Sequence, residues 1–188
     1  PKRDWSSGRV LFRSGITNLV AAAKGDVHAK VAAKELVVLK LSVSATGKQE
    51  GGDLNVKLDA PKLNVTSDKV SGEKIALDAT LASAKGKTAV KLDIPGIDGT
   101  AKAFKAAAVN LALDAQQDGA TIKAKFASSL AGSVEAERFD LDKFTTTVNV
   151  NNPKLPKNPI DATISGSAQI DVAKQNANLN FATKFDES

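Results

Sequence analysis

Catalysis by side chains needs a base, an activated nucleophile or a bound metal, and this sequence is poor in all three. Its single histidine is His28, which alternation places on the polar face of its segment, where a solvated side chain is the ordinary outcome. The serines and threonines therefore have no histidine partner other than His28. Aspartates are plentiful, but Asp59, Asp78, Asp93 and Asp114 recur at equivalent positions beside lysines, which suits Lys–Asp pairs between neighbouring strands. Acid–base work by paired carboxylates needs a concave, desolvated setting, and no segment points to one. Glycines in SGEK (71–74), DGA (118–120) and GSVEAE (132–137) lack the spacing that cradles phosphate. There is no cysteine, so neither a disulfide framework nor a thiolate metal site is available. The residues predict a protein that is not an enzyme and has no cofactor, metal or catalytic site.

The elements that would carry any site alternate strictly between apolar and polar residues. LNVKLDA (54–60) sets Leu54, Val56, Leu58 and Ala60 against Asn55, Lys57 and Asp59. The same pattern gives Ile75, Leu77, Ala79 and Leu81; Val90, Leu92 and Ile94; Val109, Leu111, Leu113 and Ala115; and Ile122, Ala124 and Phe126. It continues with Phe144, Thr146, Val148 and Val150, then Ile164, Ala168, Ile170 and Val172, then Leu179, Phe181 and Phe185. Upstream, VVLKLSVSA (37–45) presents Val37, Leu39, Leu41 and Val43. A period of two is the signature of half-buried strands. The Ala- and Lys-rich segments 20–36 and 100–110 favour helix by propensity, yet neither carries a cap or a helical stripe, and both are read as strand.

These strands repeat. KLDAP (57–61), KLDIP (91–95) and KFASS (125–129) follow one another at intervals of 34 residues. Strand centres at Val43, Leu77, Leu113 and Val148 are 34, 36 and 35 apart. Each unit reads as a strand, a break at Pro or Ser, a short link and a second strand. Pro61 and Pro95 cannot donate to a ladder and are expected at strand ends or edges. IPGIDG (94–99) reads as a turn, and NNPKLPKNP (151–159) as the longest break, either a sub-domain end or a longer crossing loop. Periods of this size signify supersecondary units that bury their faces only against neighbours.

The hydrophobic fraction of 42% is largely alanine, so the chain has little large-side-chain volume with which to fill a globular core. The predicted fold is mainly β: an extended, curved antiparallel sheet of two-strand repeats of about 34–36 residues forming a groove, the alternative being a β-sandwich. An open apolar trough is a liability unless it holds something, and acyl chains need no polar partner. The candidate lipid-facing residues are Val43, Leu54, Val56, Leu58, Ile75, Leu77, Val90, Leu92, Leu111, Leu113, Phe126 and Val148. A structural β-repeat, a spacer or stalk with fully packed faces, is the other function class the pattern allows.

Residues 1–14 belong to a different alphabet. DWSSGRVLFRS (4–14) holds the only Trp, and this end holds three of the four Arg, Arg138 being the fourth. Back-translated, it resembles a sequencing-library adapter, so residues 1–14 are read as a non-native tail and 15–188 as one β-repeat region cut from a longer domain. Removing the tail takes four of the 26 Lys and Arg and one of the 21 Asp and Glu, so the net charge falls from +5 to +2. The remaining charges are interspersed singly, and six Phe are the only aromatics left. Nucleic-acid binding is not expected, because it needs clustered basic residues and stacking platforms. No stretch approaches about 18 consecutive apolar residues.

The stretches VKLDAPKLNVTSDKVSGEKIALDATL (56–81), KLDIPGIDGTAKAFKAAAVNLALDA (91–115), FDLDKFTTTVNVNNPKLP (139–156) and NFATKFDES (180–188) together resemble the AsmA family of Gram-negative envelope proteins. The likeness spans residues 20–188 and rests on distributed strand–turn–strand patterning, with no catalytic signature. It implies an inner-membrane protein with an N-terminal anchor, absent from this stretch, and a long periplasmic β-rich body. The family is similar to TamB-like and bridge-like lipid-transfer proteins, in which β-units form a hydrophobic groove. The implied role is outer-membrane biogenesis, through phospholipid movement between the two membranes or through outer-membrane protein assembly. The implied partners are phospholipid or another acyl-chain lipid and, through the anchor, the inner membrane.

Overall fold

A computed structural model describes residues 16–33, 35–49, 52–66 and 68–186; the adapter-like tail lies outside these residues. The strands are β1 (Ile16–Lys30), β2 (Glu35–Gln49), β3 (Gly52–Val65), β4 (Val70–Gly72), β5 (Ile75–Ser83), β6 (Gly86–Ile94), β7 (Ile97–Gly99), β8 (Phe104–Gln117), β9 (Ala120–Ser133), β10 (Arg138–Asn151), β11 (Ile160–Asp171) and β12 (Asn176–Asp186). A single turn of 3-10 helix, Val31–Ala33, separates β1 from β2. Both alanine-rich segments are strand, as the alternation implied: pairing on a half-buried surface overrides their modest helix propensity.

All twelve strands form one antiparallel sheet. Its pairings include a closed circuit, β3–β4–β7–β8–β6–β5, which is simpler than it looks. From Val65↔Val70 to Asp59↔Ala76, both strands advance by six residues, so β4 and β5 are one interrupted strand in an unbroken register with β3. The same holds for β7 and β6 against β8, between Gly99↔Phe104 and Asp93↔Asn110. The chain is thus a meander in which each strand lies beside the next.

The 34-residue period is the length of one hairpin with its turns. Tight turns at 84–85 and 118–119 close one end of the sheet, and turns at 100–103 and 134–137 close the other, where Thr66 also meets Lys69. At Asp118 and Gly119 both φ angles are positive, 50° and 84°, the left-handed pair that matches strand twist in a two-residue hairpin. At the opposite end a side-chain oxygen accepts the amide of the residue three further on: Thr66 from Lys69, Thr100 from Ala103, Ser133 from Ala136 and Asp171 from Lys174. Residues 152–159 form the longest connection, between β10 and β11, a crossing loop within one continuous sheet.

A crease crosses the sheet near this second end. In β2, β3, β8 and β10 two residues, Leu39–Lys40, Pro61–Lys62, Ala107–Ala108 and Asp142–Lys143, separate the apolar positions on either side. Glu73–Lys74 and Pro95–Gly96 do the same in the interrupted strands. Strand β9 crosses with uninterrupted alternation, Phe126, Ser128, Leu130, so the apolar face is the same face on both sides. Where a two-residue crossing abuts β9 or β11, the register shifts, at Ala106/Val109, Asp142/Thr145 and Leu141/Phe144. Two residues opposed to one is a bulge, which bends and twists the sheet. Lys143, at the shifts against β9 and β11, and Lys40, at the shift against β1, take a positive φ, 52° in each.

The crease corrects four sequence expectations. IPGIDG is not a turn: β6 ends at Ile94, Pro95–Gly96 cross the crease, and Ile97–Gly99 carry the same strand on as β7. Pro61 lies within β3 and ends nothing; the ladder with β2 skips it, passing from Leu39↔Lys62 to Leu41↔Ala60 where Lys40 bulges, and on its other side it lies opposite the gap between β4 and β5. KFASS breaks nothing either, since β9 runs through it. Its serines serve the bulge beside them: Ser128 Oγ donates to the Ser129 and Asp142 carbonyls at 2.7 and 3.3 Å, and Ser129 Oγ to Asp142 at 3.2 Å. The bulge at Lys40 also shifts the phase of β2. Val38 rather than Val37 or Leu39 joins Leu41 and Val43 on the apolar face, and Leu39 is left exposed.

The buried apolar side chains gather at the crease and beyond it: Val38, Ala60, Val70, Ala101, Phe104, Ala106 and Phe144. Elsewhere the sheet is a single layer. Every substantial contact between described elements joins hydrogen-bonded neighbours or abuts the short 3-10 turn, so no second sheet covers the first and the sandwich alternative is not what forms.

Candidate functional site: an uncovered apolar face

Residues directly opposed in an antiparallel ladder share a face, so the register traces the candidate residues across the sheet. One row runs Ala23, Val43, Leu58, Leu77, Leu92, Leu111, Phe126, Thr146, Ile164, Thr183. The next runs Ala21, Ala45, Val56, Ala79, Val90, Leu113, Ala124, Val148, Ala162, Phe185. A third runs Gly47, Leu54, Leu81, Thr88, Ala115, Ile122, Val150, Ile160. Ile75 opposes Ile94 on the crease side.

All twelve sequence-predicted residues are therefore on one face, eleven in these three rows and Ile75 beside them. Ala79 and Thr146, which the alternation already placed on this face, complete rows without being large. Sequence reasoning missed Leu130 and Leu141, opposed to each other beyond the crease, whose place is visible only from the bulge. From β2 to β11 the three rows cross eight strands, or seven spacings of about 4.8 Å, which makes a strip about 34 Å long.

Among the described residues nothing covers this face. Eleven of the twelve residues are half-buried and Leu111 is exposed, at 40%. Leucine and valine in a packed interior are usually closed to solvent. Toward β12 exposure rises, to 62% at Leu179, 58% at Phe181 and 65% at Phe185. A contiguous apolar strip left open to solvent is the kind of surface that marks an interaction site.

The opposite face is charged and self-satisfied. Asp59 accepts from Ser42 Oγ at 2.7 Å and pairs with Lys57 at 2.8 Å. Lys74 pairs with Asp93 at 2.7 Å, Lys91 with Asp78 at 3.5 Å, and Asp114 opposes Lys123. The Lys57 contact comes first and the Ser42 hydroxyl second in holding the Asp59 carboxyl below its usual range, and Asp59 in turn raises Lys57. These aspartates are thus neighbours of lysines: Asp78 and Asp93 in ion pairs across strands, Asp59 in one along β3, and Asp114 directly opposite a lysine. His28 opposes Val37 on this wet face and is exposed.

A scan against protein-family models matches none, and searches of curated proteins and of solved structures return no significant match. Among the described residues no helix is long and apolar enough to cross a membrane.

Proposed function

We propose that this chain is a non-enzymatic lipid-contacting module whose apolar face holds acyl chains. The observation that carries this reading is the row from Val43 to Ile164: eight strands contribute to one face, and nothing in the described chain covers it. Acyl chains suit such a surface because they need no hydrogen-bond partner and gain by leaving water, at about 25 cal/mol per Å² buried. A fully packed spacer or stalk would close this face, and the half-exposed rows speak against it. The resemblance to the AsmA family extends the proposal: a periplasmic segment of an inner-membrane-anchored protein, conveying phospholipid toward the outer membrane and supporting outer-membrane protein assembly.

The test is lipid retention. Protein purified from residue 15 onward is expected to carry phospholipid and to bind a fluorescent fatty acid. Replacing Leu58, Leu77, Leu92 and Leu113 with Asp should abolish both. Four Asp substitutions at Asn55, Ala89, Ala112 and Thr147, on the charged face of β3, β6, β8 and β10, should leave both intact. Equal lipid recovery from the two quadruple variants rejects the proposal.

A further inference from the structure

The two ends at which the strands turn back differ in charge and in how the apolar face meets them. At one end stand the turns at 84–85 and 118–119 and the loop 152–159. The first two touch, the Asp118 amide donating to the Lys85 carbonyl at 3.3 Å. Lys85, Lys87, Lys154 and Lys157 lie in or beside these connections, all exposed, against Asp118 and, from the sequence, Glu50. Among the described residues none of the four is in an ion pair, while Lys48 nearby is neutralised by Asp53 at 3.1 Å. At the opposite end the charges of the connections balance. Lys69, Lys102 and, from the sequence, Lys34 stand against Asp68, Glu135 and Glu137, and Lys174 pairs with Asp171 at 3.3 Å.

The apolar strip opens toward the basic end. Beyond its third row, Ser83, Gly86, Gln117 and Ala120 lie in register on the same face, so no charge stands between strip and turns. Toward the other end the face closes down at the crease, where Val70, Ala101 and Phe104 are buried. The loop 152–159 rises from Val150 and Ile160, which oppose each other in the third row. Pro153, Pro156 and Pro159 restrict its backbone. The Asn152 amide donates to Asn158 Oδ1 at 2.7 Å, Asn158 Nδ2 to Asn151 Oδ1 at 3.0 Å, and the Lys154 amide to Asn152 Oδ1 at 3.0 Å. In this braced loop half-buried Leu155 sits between exposed Lys154 and Lys157.

We propose that this end docks on an anionic phospholipid surface, with Leu155 entering the interface and the four lysines at the phosphates. An apolar residue flanked by lysines suits that boundary, because the side chain leaves water while the ammonium groups stay among the headgroups. Anionic lipid attracts each lysine held near its surface, and the attraction is screened by salt. The inference rests on the reading of the strip as an acyl-chain surface: docked this way, the strip meets the bilayer along its uncharged rim, and a chain can pass between them without crossing a charge.

Flotation of the whole chain with vesicles of equal parts phosphatidylglycerol and phosphatidylcholine, and with phosphatidylcholine alone, tests this. The wild-type chain is expected to float with the anionic vesicles, and less so at high salt. Lys85→Gln, Lys87→Gln, Lys154→Gln and Lys157→Gln together should weaken that binding at least about 100-fold, at about fivefold per lysine. Lys62→Gln, Lys102→Gln, Lys105→Gln and Lys125→Gln together remove the same charge elsewhere and should float like wild type. The chain has no cysteine, so a single one can carry an environment-sensitive fluorophore. The label on Leu155→Cys should shift to the blue on anionic vesicles, and the label on Ala136→Cys, at the opposite end, should not. Equal loss from the two quadruple variants overturns the proposal, as does a shift at Ala136→Cys without one at Leu155→Cys. A chain that binds fatty acid yet floats with neither vesicle also overturns it and leaves the acyl-chain reading standing. Anionic-vesicle binding without fatty-acid retention supports the docking and fails the acyl-chain reading instead.

Discussion

The rings of Phe104 and Phe139 meet edge-to-face, centroids 6.1 Å apart and planes at 63°, over the backbone of Gly132, which opposes both residues. One strand, β9, separates the phenylalanines, and only a residue without a side chain between them lets the rings touch. A Cβ on Gly132 would stand 2.9 Å from Phe104 Cζ and 2.8 Å from the Arg138 carbonyl. Gly132→Ala is therefore expected to destabilise the fold by about 1–3 kcal/mol through overpacking. Urea denaturation checks it: the midpoint should fall with the slope unchanged, and an unaltered midpoint would show that the aromatic pair is not seated as described.

Lys143 stands at the bulge in β10 with φ of 52°, a conformation that costs a non-glycine residue about 1–2 kcal/mol. Glycine removes that cost but loses about 0.4–1 kcal/mol through the greater freedom of the unfolded chain. Lys143→Gly should stabilise by up to about 1 kcal/mol, whereas Lys143→Val, stiff at χ1, should destabilise by about 1–2 kcal/mol. The ordering Gly above Lys above Val in thermal midpoint is the measurable outcome. Any other order contradicts the bulge.

Much of this was legible in the residues because side-chain period and burial are directly linked in a one-faced sheet. Alternation in 54–60 or 109–115 fixes which residues share a face, and equal spacing of KLDAP and KLDIP fixes hairpin length. The crease was not legible. A bulge reverses the phase of alternation, so VVLKLSVSA reads as one uninterrupted face through Leu39 when it is two phases joined at Lys40. Pro61 misled for a related reason: a proline is excluded from a ladder only where its N–H would be used, and the crease leaves that position unpaired.

The charged face gives a pH dependence with a definite sign. Asp59 has its pKa lowered by Lys57 and Ser42, so its contribution is present above the ordinary carboxylate pKa and is lost as pH falls through the lowered value. Lys57, raised by Asp59, contributes below the ordinary lysine pKa and loses that contribution as pH rises through the raised value. Asp59→Asn should flatten the stability profile at both extremes, below about pH 4 and above about pH 10. Both side chains are solvent-exposed, so raising the salt concentration should shrink the difference between variant and wild type. Urea midpoints across pH at two ionic strengths would measure it.

Leu111 separates an open face from a covered one. A leucine enclosed in a core costs about 2–5 kcal/mol when cut to alanine, because lost transfer energy is joined by a cavity. Leu111, flanked by Leu92 and Phe126 but 40% exposed, leaves no enclosed cavity on truncation. Leu111→Ala is therefore expected to cost under about 1.5 kcal/mol, while Phe104→Ala, at the buried crease, should cost about 3–5 kcal/mol. Adding a saturating fatty acid should widen the Leu111→Ala deficit, since a ligand that binds the folded state alone stabilises it in proportion to its affinity. A core-sized loss at Leu111 without ligand would mean that something already covers the strip in solution, and the acyl chain would then have nowhere to lie.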